Sequence, residues 1–243
     1  MGMVDWRSTS PEIAGSGARV AVINIGSVEQ HGAHLPVGTD TIIGQHIARK
    51  VAEALGAYLL PSFAVGNCQE HMGRAGTVWI KPQTMFAVVT DVCLSLKEQG
   101  FSRIVIIPTH GGLWILKPAV REINLNHPDL VVLLVPDFST GSGEEVLTGE
   151  GMDLHAGEVE TSMMLHIDPG AVKMELAVDA HPAAGREYLD YAAMAQISPS
   201  GVWGAAKHGT AAKGKVLLDR RVASIVAYCN ETFAAVDLLR QLD

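Results

Sequence analysis

The chain has 243 residues, 48% of them hydrophobic, a formal net charge of -8 and a mean hydropathy of +0.21. That is ample material for one large core, and the clustered Lys and Arg that a nucleic-acid partner demands are missing. Cys68, Cys93 and Cys229 are odd in number and far apart, which excludes a spacing-based disulfide framework or Cys-x-x-Cys zinc site and predicts reduced thiols. Residues 1–7 lack a signal-type pattern, and no apolar run approaches the ~20 residues that span a bilayer. The expectation is a cytoplasmic enzyme folded as one domain over residues 1–243, acting on a small molecule, with no nucleic acid and no membrane partner.

In chain order, residues 19–25 form a nearly continuous apolar, β-branched run, the pattern of a strand buried on both faces. Residues 41–55 carry apolar side chains at helical spacing, and 57–61 read as a second strand. A helix over 82–99 stops at Gly100, a strand follows over 103–108, then a helix over 117–126 and a strand over 130–136. Gly, Ser and Glu dominate 139–151, which predicts a mobile loop. Residues 147–153 are a Gly-punctuated approach to a cluster over 153–162 that opens a further helix through Ser162 and Leu165. After His181, Pro182 and Gly185 interrupt an Ala-rich stretch whose element type stays open, and residues 216–242 read as a long amphipathic helix. Strands alternating with helices predict an α/β fold, a mostly parallel sheet covered on both faces, with ligands bound beyond the carboxyl ends of the strands.

Three clusters lie at such places. Residues 26–40 hold Glu29, His31, His34 and Asp40; residues 109–112 hold His110; residues 153–162 hold His155, Glu158 and Glu160. Imidazole nitrogen mixed with carboxylate oxygen suits Zn²⁺, Mn²⁺ or Fe²⁺ better than Ca²⁺ or Mg²⁺, and a carboxylate can bridge two ions where a His cannot. Any one of these residues alone is more often a cap or a satisfied core group, and Asp40 at a helix start is also an N-cap candidate. Three clusters together reverse that reading. Gly111-Gly112 is not a phosphate loop, because no Lys-Ser/Thr signature follows.

The Glu29-Gln30-His31-Gly32 motif with Asp40, His110-Gly111-Gly112, and His155-Ala156-Gly157 followed by Glu160-Thr161-Ser162 resemble the creatininase (creatinine amidohydrolase) family. Gly76-Thr77-Val78-Trp79, Gly201-Val202-Trp203-Gly204 and residues 210–214 resemble family blocks as well. The resemblance implies a three-layer α/β/α domain holding two divalent ions, Zn²⁺ or Mn²⁺ with Fe²⁺ as a further choice. Glu29 and His110 would bind one ion, His31 and Glu160 the other, and Asp40 both. Such a pair lowers the pKa of a shared water towards neutrality, and His155 corresponds to the general acid that serves the departing nitrogen. His34, Thr77, Gly111 and Glu158 are expected around the ions, against the substrate or the ligands. His71 and His208 fall in active-site or interface loops, with no metal role implied.

Two departures stand out. Creatinine-cleaving members carry an aromatic and an extra carboxylate after the loop histidine, where this chain has Gly111 and Gly112. Many others have Asn shortly before and after the His-Gly-Gly core, where this chain has Thr109 and Leu113. The implied reaction is hydrolysis of a cyclic amide or a related small C–N substrate. Formamide deformylation, peptide-precursor cleavage and cyclitol ketone hydrolysis are the alternatives within the family, and a non-catalytic, metal-stabilised assembly protein is the alternative outside it. Family resemblance together with the apolar content implies a homo-oligomer, a hexamer above all.

Overall fold

A computed structural model describes residues 3–136 and 143–240. The start of the loop expected over 139–151 and the last residues of the helix expected over 216–242 lie outside the described residues. The element order is α1 (Ser10–Gly15), β1 (Val20–Ile25), α2 (Thr39–Leu55), β2 (Tyr58–Leu59), α3 (Pro82–Glu98), β3 (Arg103–Pro108), α4 (Leu116–Asn126), β4 (Val131–Leu134), α5 (Glu158–Ile167), β5 (Asp179–Ala180), α6 (Met194–Ile197), β6 (Gly204–Ala205) and α7 (Ala211–Leu239). The stretch after His181, left open by the sequence, contains a 3₁₀ turn (Arg186–Asp190) before α6.

The main sheet has the order β2-β1-β3-β4 with every pairing parallel. Because successive strand residues point to opposite faces, β1 feeds two cores. Ala21, Ile23 and Ile25 pack with Met85, Val89 and Cys93 of α3 and Leu116, Val120 and Ile123 of α4. Val22 faces the other way, joining Ile43, Ile47 and Val51 of α2, Met163 and Met164 of α5, and Leu217, Ile225 and Phe233 of α7. The result is helix, sheet, helix: the three layers expected. Helix α2 stops at Gly56, whose φ of 59° supplies the left-handed C-terminal turn, and α3 starts on Pro82, whose missing N–H costs nothing in the first turn.

Among the described residues, α7 is the one helix long and apolar enough to cross a membrane by length and composition. Here it packs along α5 and α2 through a buried stripe that includes Gly214, Leu218 and Cys229. All three cysteines are free and buried, and burial pushes each thiol up to about 12, so they stay protonated and unreactive.

Candidate metal centre

Chain reversal at the carboxyl ends of β1 and β3 builds the site. Ile25 is paired with Pro108, so both strands release their loops at the same level. The loop after β1 is stitched down: Glu29 N donates to Val37 O at 2.9 Å, Val78 N donates to Val28 O at 2.9 Å, and Gln30 N donates to Thr77 Oγ1 at 3.0 Å. Asp40 sits in the first turn of α2, and the N-cap is Gly38, not Asp40. Ser27 Oγ donates to Asp40 Oδ2 at 2.6 Å, and Thr109 Oγ1 donates to Asp40 O at 2.9 Å, which ties the loop of His110 to the start of α2. Glu160 comes from the first turn of α5. Its Oε2 accepts from Ala156 N at 2.6 Å, on a residue held at φ 51°, a strained backbone of the kind that collects at working sites.

Five side chains converge there. His110 Nδ1 lies 3.1 Å from Glu29 Oε2 and 3.3 Å from Asp40 Oδ2. His31 Nε2 lies 3.3 Å from Asp40 Oδ1 and 3.7 Å from Glu160 Oε2. Each oxygen of Asp40 therefore faces a different imidazole. Both oxygens of Glu29 and Nε2 of His31 are buried with no hydrogen-bond partner among the described residues, although burying a bare carboxylate is among the most expensive acts in a protein.

The electrostatics show what this donor set demands. Burial raises the Glu29 carboxyl above its ordinary range even with His110 beside it, and burial likewise raises Glu160. Burial opposes a charge on His31, yet Asp40 and Glu160 outweigh it and hold its proton up to about 10. His110 is raised too, burial being overcome by Glu29, Asp40 and Glu70, while Asp40 is lowered because the two imidazoles outweigh its burial. Buried carboxylates that otherwise have to be neutralised by protons fit divalent cations, and three carboxylates with two imidazoles are enough oxygen and nitrogen for two.

His155 lies against this cluster, its ring centroid 4.3 Å from that of His31. Its Nε2 donates to Gln30 O at 2.7 Å, which leaves Nδ1 as the free ring atom, 3.7 Å from Glu29 Oε1. Burial and then His31 push this imidazole down to about 4, below the near-neutral value of an ordinary histidine.

The site also contains Glu70, which the sequence reading left out, and His71, which it placed in a loop without a metal role. The 3₁₀ turn Gln69–His71 delivers His71 Nε2 to 3.3 Å from Glu29 Oε1 and Glu70 Oε1 to 3.0 Å from His110 Nε2. The latter is ion-pair distance without hydrogen-bond alignment. Glu29, His71 and His155 together form a triad of metal-ligand spacing. The absence of a side chain at Gly112 admits Glu70, since a Cβ there would overlap Glu70 Oε1 and His110 Nε2. The Glu70-His71 pair just ahead of Gly73 was the available signal.

The remaining residues expected around the ions are placed as follows in the fold. Glu158 turns away from the cluster: its buried carboxylate pairs with Lys213 and accepts from Thr148 N at 3.0 Å and Gly149 N at 2.7 Å. His34 bonds Thr161 Oγ1 through Nε2 at 2.9 Å and joins the first loop to α5 without reaching a ligand. Thr77 acts on the backbone of Gln30 and not on the cluster. Gly111 lines the cavities beside His110. His208 faces Thr148, outside the centre.

Comparison with known proteins agrees with this geometry. The profile of Creatininase, creatinine amidohydrolase, matches residues 6–229. The mycofactocin precursor peptide peptidase of Mycobacterium ulcerans (strain Agy99) is 30% identical, over 90% of this chain and 88% of its own. Creatinine amidohydrolase from Pseudomonas putida is 27% identical over 96% of both. A crystal structure of creatinine amidohydrolase (creatininase) superposes with a TM-score of 0.83 at 25% identity, covering 96% of this chain and 99% of that one. At the same identity and coverage, a manganese form of creatininase gives 0.82 and a zinc–zinc form of a mutant gives 0.83. Sheet, loops and donor set coincide in one conclusion: the chain belongs to the creatininase family of metal-dependent amidohydrolases.

Proposed function

We propose that the chain binds two divalent ions, Zn²⁺ or Mn²⁺, and hydrolyses the C–N bond of a small amide. The observation that carries this reading is Asp40, whose two oxygens face His110 and His31 separately. Glu29 and His110 would hold one ion, His31 and Glu160 the other, and Asp40 both. When bound, such ions polarise an amide carbonyl and make water nucleophilic near neutral pH. His155 holds or moves the proton at Nδ1, because its Nε2 is committed to Gln30 O and Nδ1 is directed at the cluster. Gln30, fastened through its backbone to Thr77, positions His155.

A cyclic amide is the first reading, by likeness to creatinine amidohydrolase. A linear peptide amide is the second, favoured by the likeness to a precursor peptide peptidase and by a cavity of about 910 Å³ over Glu29, Asp40 and Glu160, larger than a five-membered ring requires.

Elemental analysis of protein prepared without chelator should give two ions per chain; a value well below one after reconstitution with Zn²⁺ and Mn²⁺ overturns the assignment. His155→Asn should keep the metal content and lower kcat by roughly 10²- to 10⁴-fold, the scale of a positioned proton-transfer group. Loss of one ion in that variant would make His155 a ligand.

A further inference from the structure

Two cavities of about 600 and 910 Å³ meet at the centre and share His110, Gly111, Trp114, Glu160 and Arg186 in their walls. Arg186, at the start of the 3₁₀ turn Arg186–Asp190, lays its guanidinium over Gly111: a Cβ at Gly111 would stand 3.1 Å from Arg186 Nη2. Any side chain at 111 would have to share that space. The guanidinium is thus placed one residue from His110, and among the described residues it has no ion pair or hydrogen bond of its own.

The surroundings favour an anion over a chance surface contact. Lys117 lines the smaller cavity with Arg186, and the two acids that line it among the described residues are engaged elsewhere. Asp153 accepts from the backbone N of Glu158, and Glu160 faces His31. Glu187 and Asp190 line only the larger cavity, so a negative group is drawn to the Lys117 side, where Leu113 and Trp114 provide apolar wall. A guanidinium is the side chain whose planar fork matches carboxylate and phosphate oxygens two at a time.

We propose that Arg186 is the anion-recognising residue of the pocket, and that the substrate is an amide carrying a carboxylate or phosphate a few bonds from the scissile C–N bond. The position of that bond rests on the amidohydrolase reading above; the anion site itself does not. The test is calorimetric titration of the full, Zn²⁺-reconstituted chain with N-acetylphenylalanine, its uncharged carboxamide, and phenyl phosphate. An anion should bind roughly 10- to 100-fold more tightly than the carboxamide, the scale of charge-assisted hydrogen bonds. Whichever anion gains more identifies carboxylate or phosphate as the preferred group. Arg186→Gln should remove the advantage at unchanged metal content and melting temperature, and Arg186→Lys should retain part of it. An equal advantage in Arg186→Gln means that the ions alone bind the anion, and this overturns the proposal. So does the absence of saturable binding of either anion to the wild type. Arg186-dependent binding without cleavage of any amide would instead uphold the anion site and sink the amidohydrolase reading.

Discussion

Glu70 shows how a fourth carboxylate reaches this centre from an unexpected loop. With Nδ1 of His110 turned to Glu29 and Asp40, its Nε2 faces Glu70, the arrangement in which an outer carboxylate fixes the tautomer and aim of a ligating imidazole. Burial opposes the charge on Glu70, but His110 outweighs it and lowers the carboxyl, so the anion is the form present. We expect Glu70→Gln to weaken one of the two ions by roughly 10- to 100-fold, the usual effect of such outer partners, and to spare the other. Competition with a metallochromic chelator checks this; equal affinities for both ions in the variant would show Glu70 to be a bystander. The five proposed ligands were legible because each follows a strand or opens a helix in a dense motif. Glu70 was not, and His71 was placed in a loop without its contact to Glu29, since a 3₁₀ turn of three residues has no periodicity to read and reaches the centre only through tertiary contacts such as the Val28–Val78 bridge.

Elements were legible to the extent that burial was continuous. The apolar runs at β1 and β3 were placed within a residue, while the runs read as strands at 57–61 and 130–136 shrink to Tyr58–Leu59 and Val131–Leu134, because edge strands pair only where a neighbour reaches. β5 and β6, two residues each, leave no pattern at all. The helix read from 216 begins at Ala211: its first turn is capped by Thr210 Oγ1, which accepts from Lys213 N at 3.3 Å, and is crossed closely by α5. At that crossing Gly214 is buried, and a Cβ there would overlap the Ser162 carbonyl. Gly214→Ala should therefore force α5 and α7 apart and destabilise the fold by about 1–3 kcal/mol, the range of overpacked cores. Urea unfolding measures it, and a gain in stability, as from an ordinary helical Gly→Ala change, would contradict the close crossing.

At the scale of the whole molecule, several large apolar side chains stand at the surface. Trp114 is 65% exposed, Leu125 77% and Tyr191 85%, in a chain of positive mean hydropathy. Closed symmetric association is the usual way such surface is covered. We expect light scattering to give a mass several times 25.8 kDa, six times for the hexamer that family resemblance implies; a particle of 25.8 kDa at micromolar concentration would refute self-association. The layered architecture itself was readable from alternating strands and helices, whereas assembly depends on which surfaces match, and no linear pattern encodes that. The pairing of Ile25 with Pro108 also sets an order in time. Glu29 and His110 leave strands separated in the chain by α2, β2 and α3, so neither can meet the other until a long loop has closed, the slow kind of step in folding. The full set of five proposed ligands therefore comes together only once the sheet has formed, so ions held there would favour the folded chain over a reopened one.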